Sequence, residues 1–192
     1  MVVTLNLHPT IDLTDEQFEQ ICHRNPDLKF ERTSTGELVV VALTGGETGR
    51  RNIKLSARLE NWSDRTQLGV AFDSSTGFRL PNGAIRSPDA AWVNLERWQA
   101  LTPDQRKRYV PLCPDFLVEL RSLSDEIEEV QAKMQEYLNN GLQLGWLLDP
   151  EAQIVEVYRA GQAVEVLQQP PSISGETVLP DFVLSLTGIL FD

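Results

Sequence analysis

The sequence predicts an α/β fold in which a mixed β-sheet is flanked by helices. Between residues 89 and 148 the pattern alternates: a strand, two short helices, a second strand, a long helix and a third strand. This alternation is typical of a sheet covered by helices. The chain has 192 residues, 41% hydrophobic and 23% charged, which suits one globular domain with a buried core. We expect residues 1–192 to form this single domain, with residues 1–13 as a loose N-terminal arm.

The remaining elements follow from hydrophobic periodicity and from turn residues. In chain order we expect a helix at 14–25, a hairpin of strands at 28–32 and 37–43, a helix at 47–67, paired strands at 70–73 and 77–80, and a strand at 90–93. Short helices at 94–100 and 102–108, a strand at 116–121, a helix at 124–140 capped by Ser124, a strand at 143–148 and a hairpin at 154–158 and 163–167 follow. The tail at 178–191 is apolar enough to join the core.

The net charge of −11 argues against a protein that coats nucleic acid through bulk electrostatics, because such binding relies on Lys and Arg neutralising phosphates. Basic residues do cluster at positions 50–65 and 106–108, so a local basic face is compatible with the acidic total. A solvated helix face explains these clusters equally well.

Neither a membrane span nor an export signal is predicted. The longest apolar runs are far shorter than the roughly 20 residues of a transmembrane helix. The N-terminus lacks the basic start and the apolar stretch of a signal peptide. Cys22 and Cys113 are far apart in a sequence without export signals, which favours reduced thiols over a disulfide. We therefore expect a cytoplasmic protein.

Glu119 is the first candidate site residue. It stands inside the run Phe-Leu-Val-Glu-Leu, which is typical of a strand buried on both faces. A buried carboxylate is costly unless it is paired or binds a metal. Because side chains two residues apart in a strand point the same way, a Glu119–Arg121 ion pair is the structural alternative.

Asp89 and Lys133 are the next candidates. Asp89 lies at the head of a strand, straight after Ser87-Pro88, where a turn-forming aspartate is the alternative. Lys133 lies at the edge of the apolar stripe of its helix, so its amine could reach a neighbouring strand end. A surface lysine beside Glu126 or Glu129 is the alternative.

Together these residue types suit phosphodiester hydrolysis. Two carboxylates at strand ends bind a hard cation such as Mg²⁺, and a nearby lysine stabilises developing negative charge or orients a water. His8 and His23 have no partner at ligand spacing, which argues against a histidine metal site. Gly45-Gly46 precedes a helix without the lysine and serine of a P-loop, so no nucleotide cofactor is expected.

Five segments resemble the Uma-type restriction endonuclease family, which belongs to the PD-(D/E)XK nuclease superfamily. They are “TGGETGRRN”, “RSPDAAWV”, “PDFLVELRSLSD”, “KMQEYLNNG” and “LGWLLDPEAQIVEVYRAG”. The similarity runs from about residue 14 to residue 191, and the order and spacing of the segments make it specific. The resemblance implies a restriction-endonuclease-like fold.

The resemblance also implies that Asp89 and Glu119 hold a divalent cation, Mg²⁺ or Mn²⁺. In the wider superfamily the catalytic lysine stands two residues after the glutamate, where this chain has Arg121, which is a fixed cation and cannot act as a base. The family's lysine comes instead from the next helix and corresponds to Lys133, while Arg121 would support Glu119 or touch phosphate. The superfamily often adds an acid from the first core helix, for which Glu47 and Glu60 are both candidates.

The resulting hypothesis is a divalent-metal-dependent endonuclease that hydrolyses DNA and works as a homodimer. The rival is a catalytically weak or inactive protein of the same fold that acts by binding protein or nucleic acid, which the acidic charge and the displaced lysine favour. Hydrolysis of another phosphoester is a third possibility, because a fold does not determine its substrate.

Overall fold

A six-stranded sheet lies at the centre of the computed structural model, which describes residues 3–191. Its strands are, in spatial order, β11 (Glu165–Gln168), β10 (Ile154–Arg159), β9 (Leu144–Asp149), β8 (Phe116–Leu120), β7 (Ala90–Asn94) and β4 (Gly69–Asp73). β8 and β9 are parallel, and the other four neighbouring pairs are antiparallel. Helices pack against this mixed sheet, so the predicted α/β fold class is confirmed.

Five helices accompany the strands in the described part of the chain. They are α1 (Asp15–Arg24), α2 (Gly46–Thr66), α3 (Leu95–Ala100), α4 (Pro103–Arg106) and α5 (Ile127–Asn139). Because parallel neighbours need a crossover connection, α5 joins β8 to β9. Thr14 and Thr102 cap α1 and α4 through capping boxes, which fixes where these helices begin. Among residues 3–191, no helix is both long and apolar enough to cross a membrane.

The start of α5 differs from the prediction that Ser124 caps this helix. The N-cap is Glu126, whose side chain makes no capping hydrogen bond. Asp125 instead accepts hydrogen bonds from the backbone N–H and the hydroxyl of Ser122, at 2.9 and 2.7 Å. This local turn occupies the segment, so the helix begins later than the sequence pattern indicates.

A second sheet packs beside the first and has five strands. In spatial order they are β1 (Val3–Leu5), β3 (Leu38–Val41), β2 (Lys29–Arg32), β6 (Ile85–Arg86) and β5 (Phe78–Arg79). The prediction that 70–73 and 77–80 pair with each other is wrong, since β4 pairs with β7 and β5 with β6. Asp73 accepts hydrogen bonds from Ser75 and Thr76 in a turn that carries the chain from one sheet to the other.

The N-terminal segment is also more ordered than predicted. Val3–Leu5 pairs with β3, whereas a loose arm is predicted for 1–13, of which residues 1 and 2 lie outside the described residues. All three residues of β1 are exposed, so backbone pairing at a sheet edge holds the strand, and a hydrophobic pattern does not reveal such pairing. The organisation of 1–192 as a single domain stays a prediction.

Each face of the six-stranded sheet has its own core. On one face lie Trp62 of α2, Phe116 of β8 and several residues of the C-terminal tail, as predicted for 178–191. The tail also forms a short hairpin of β12 (Ser172–Ser174) and β13 (Val183–Ser185). On the other face Met134 of α5 packs with Leu117. Since side chains alternate along a strand, Glu119 faces α5 as Leu117 does.

Candidate metal-binding site

Asp89 and Glu119 lie at the same edge of the six-stranded sheet. β7 and β8 are antiparallel with Ala90 opposite Val118, so Asp89, just before β7, lies beside Glu119 near the end of β8. Asp89 Oδ2 accepts a hydrogen bond from the backbone N–H of Leu120 at 2.7 Å. Strand pairing therefore holds the two carboxylates next to each other.

Glu119 is buried, with 7% of its surface exposed. Its Oε1 lies 2.9 Å from Lys133 Nζ and accepts a hydrogen bond from the Tyr137 hydroxyl at 3.0 Å. Lys133 and Tyr137 both project from α5, which packs on this face of the sheet. Lys133 thus reaches the end of β8. The Glu119–Arg121 ion pair that the sequence left open is not formed within residues 3–191.

Glu31 is a site residue that the sequence analysis missed. It lies in β2 of the other sheet, is buried, and its Oε1 lies 3.1 Å from Lys133 Nζ. The same oxygen accepts from the Ser87 backbone N–H at 3.0 Å, and Oε2 lies 3.3 Å from Arg86 Nη1. Lys133 therefore bridges two buried carboxylates from two sheets. Glu31 and Lys133 are 102 positions apart, and no local pattern encodes such a contact.

Burial and charge shift the pKa values of these three groups differently. Burial raises the pKa of Glu119 to about 7; Lys133 opposes the shift, and Asp89 and Glu31 add to it. Burial also disfavours the ionised form of Glu31, but Lys133 and Arg86 outweigh it and lower its pKa. Burial disfavours the charged form of Lys133, yet its two carboxylate partners raise its pKa above the ordinary value. At neutral pH, Lys133 is therefore protonated and Glu31 ionised.

Asn52 of α2 also contacts the site. Its Nδ2 donates a hydrogen bond to Asp89 Oδ1 at 2.9 Å. Its Oδ1 is shielded from solvent and has no hydrogen-bond partner among residues 3–191. A buried acceptor without a partner costs about 1–3 kcal/mol. This contact spans 37 positions and depends on how α2 packs on the sheet, so the sequence pattern did not identify it.

The two acids of α2 that the sequence analysis considered lie elsewhere. Glu47 pairs with Arg50 of its own helix at 2.9 Å, and 68% of its side chain is exposed. Glu60 lines a small surface cavity between α2 and β4, together with Ser56 and Asp73. An acid from α2 stays a prediction. The α2 side chain that hydrogen-bonds Asp89 is an amide.

Arg121 binds a carboxylate other than Glu119. Its Nη1 lies 2.8 Å from Asp149 Oδ2, at the end of the neighbouring strand β9, and its Nε donates to the backbone oxygen of Asp125 at 3.1 Å. Asp149 is buried, so Arg121 compensates a charge inside the fold. These contacts assign Arg121 a structural partner.

The residues at this edge fit a divalent cation. Among residues 3–191, no three histidine, cysteine or acidic side chains are grouped to hold a metal. Mg²⁺, however, is commonly bound by one or two carboxylates and keeps several waters. Asp89 and Glu119 supply two carboxylates, and the contacts that Glu119 makes in the described chain fall on Oε1. The buried, unpaired Oδ1 of Asn52, whose amide is hydrogen-bonded to Asp89, is an additional oxygen of the kind that coordinates a divalent cation.

Comparisons with known proteins give a family and a fold. The Uma2 family model, described as “Putative restriction endonuclease”, matches residues 15–187. The crystal structure of a “putative nuclease belonging to DUF820” from Anabaena variabilis is similar, with a TM-score of 0.71 and 20% sequence identity. That match covers 84% of this chain and 89% of the other chain. At this identity the similarity establishes the fold alone. A search of curated proteins finds no match.

Proposed function

The chain belongs to the Uma2 family, and from this premise and the geometry of the site we propose that it is a divalent-metal-dependent endonuclease. The substrate we propose is DNA, and the reaction is hydrolysis of a phosphodiester bond. The observation that carries the proposal is the position of Asp89, Glu119 and Lys133 at one edge of the sheet.

Asp89 and Glu119 would hold Mg²⁺ or Mn²⁺. When bound, such a cation supplies positive charge that stabilises negative charge developing on the phosphate. In the reaction, the oxygen of one water bonds to phosphorus and loses a proton, while one P–O ester bond breaks and its oxygen gains a proton. The two carboxylates repel a phosphate, so its binding needs positive charge from the cation and from other groups.

Lys133 would supply such charge, because its amine lies against Glu119. Glu119 and Glu31 raise the pKa of Lys133 although burial disfavours its charged form, so it carries a proton at neutral pH. A protonated lysine cannot accept the proton of the attacking water. We therefore assign Lys133 an electrostatic role, in which it steadies the scissile phosphate or the water.

Glu31 and Tyr137 would act as positioning residues. Glu31 contacts Lys133 as a second carboxylate partner beside Glu119, and Tyr137 donates to the oxygen of Glu119 that Lys133 contacts. With these groups fixed, the lysine has one preferred place at the sheet edge.

A second candidate function is binding of protein or nucleic acid without efficient catalysis. The observation in its favour is that Lys133 is already paired with two carboxylates, in a chain whose net charge is −11. Both features oppose the approach of a polyanion.

A homodimer and a cytoplasmic location also remain our proposals. Light scattering that gives only the mass of a monomer would contradict the homodimer.

Cleavage of supercoiled plasmid with Mg²⁺ or Mn²⁺ tests the proposal. We expect the wild type to nick the plasmid, and we expect Asp89→Ala and Glu119→Ala to lose both cleavage and metal binding. Glu129→Ala, which removes an exposed carboxylate from α5, is the matched control and should cleave normally. Metal-dependent cleavage by Asp89→Ala would refute the assignment, and inactivity of the wild type with both metals would favour the binding function.

A further inference from the structure

We propose that Asn52 is the third protein ligand of the divalent cation, an inference that rests on the proposed function. Its amide has two tasks: Nδ2 holds Asp89, and Oδ1 binds the ion. Two observations support this inference. Nδ2 donates a hydrogen bond to Asp89 at 2.9 Å, and Oδ1 is buried without a partner in the described chain.

The orientation of the amide follows from chemistry. An ionised carboxylate only accepts hydrogen bonds, so the NH₂ group of Asn52 must face Asp89. Oδ1 is bonded to the same carbon as Nδ2, so the hydrogen bond to Asp89 also holds Oδ1 in place. Asn52 thus keeps one buried acceptor that has no partner in the described chain.

Oxygen chemistry and charge explain why an amide suits this place. Hard cations take amide and carbonyl oxygens as well as carboxylates, and Mg²⁺ requires a near-octahedral set. Asp89, Glu119 and Glu31 already bring three carboxylates to this part of the fold, so a further carboxylate would increase the repulsion in the metal-free protein. A neutral amide adds an oxygen without adding charge, and binding of a cation would relieve the cost of its buried, unpaired state.

Calorimetric titration with Mg²⁺ and with Mn²⁺ alone, without nucleic acid, tests the inference. Asn52→Leu removes both the donor and the oxygen, and we expect it to weaken cation binding roughly 10-fold or more. Asn52→Asp keeps the oxygen and removes the donor, and we expect it to bind the cation at least as tightly as the wild type. Asn61→Leu makes the same substitution at an exposed position of α2 and should bind normally.

The outcomes separate the inference from the proposed function. Wild-type affinity in Asn52→Leu would overturn the inference while leaving the Asp89–Glu119 site in place. Weak binding by both variants would overturn the ligand role, because the lost donor would then explain the loss. Absence of binding by the wild type would overturn the proposed metal site itself. Thermal unfolding in chelator shows whether each variant folds. If Asn52→Leu does not fold, the cation affinity of Asn52→Asp alone decides whether Asn52 is a ligand.

Discussion

Replacing Glu119 with Gln should stabilise the metal-free protein above neutral pH. Burial raises the pKa of this carboxyl from its ordinary value of 4.5 to about 7 in the folded chain. Between these two values the folded state retains a proton that the unfolded state has lost, so the free energy of unfolding falls as pH rises. A shift of this size corresponds to about 3 kcal/mol, which the wild type has fully lost once the pH exceeds the folded-state pKa.

The neutral amide of Glu119→Gln resembles the protonated carboxyl and can still accept from Lys133 and Tyr137. We therefore expect the variant to match the wild type near pH 4.5 and to exceed it by about 3 kcal/mol at pH 8. Urea unfolding in chelator, followed by tryptophan fluorescence at several pH values, measures the difference. Glu129→Gln, at an exposed position, is the control and should show no such trend.

A difference between Glu119→Gln and wild type that stays constant from pH 5 to pH 8 would refute this reasoning. It would mean that Glu119 is ionised throughout in the folded protein and that the charge of Lys133 outweighs burial. Saturating Mg²⁺ should reverse the order of stability, because a cation binds the ionised carboxylate and so stabilises the folded wild type.

Two further predictions concern the groups around the site. Arg121→Ala should lower the free energy of unfolding by about 3 kcal/mol, since it leaves the buried charge of Asp149 without its cation. Urea unfolding measures this loss, and adding Asp149→Asn should restore part of it. Unchanged stability of Arg121→Ala would contradict the structural role of Arg121. Glu31→Gln should cost roughly 2 kcal/mol at pH 7, as expected for hydrogen bonds to charged groups. The pKa of Glu31 is lowered in the folded protein. The ionised carboxylate therefore stabilises the wild type above pH 4.5, and this stabilisation is lost as the pH falls through the folded-state pKa. If the difference in unfolding free energy between wild type and Glu31→Gln did not depend on pH, the charge of Glu31 would not be what stabilises the folded protein.

Local sequence predicted most of the elements and the family. The threonine caps at Thr14 and Thr102 specify where two helices begin, and the continuous apolar run at Phe116–Leu120 specifies a strand buried on both faces. The burial of Glu119 follows from that run. The family resemblance is confirmed by the match over residues 15–187. These features are local because hydrogen bonding within a turn and side-chain alternation along a strand depend on near neighbours.

Tertiary structure decided which side chains meet at the sheet edge. Glu31 reads as a polar residue of a short strand, yet pairing of β2 with β6 and packing of α5 bring it to Lys133. Asn52 reaches Asp89 only because α2 packs on the six-stranded sheet. Arg121 follows a strand whose pattern places it on the side of Glu119, but the parallel neighbour β9 presents Asp149 instead. Periodicities of two and 3.6 residues define the face on which a side chain lies, whereas the order of strands and the packing of helices determine the residue opposite it.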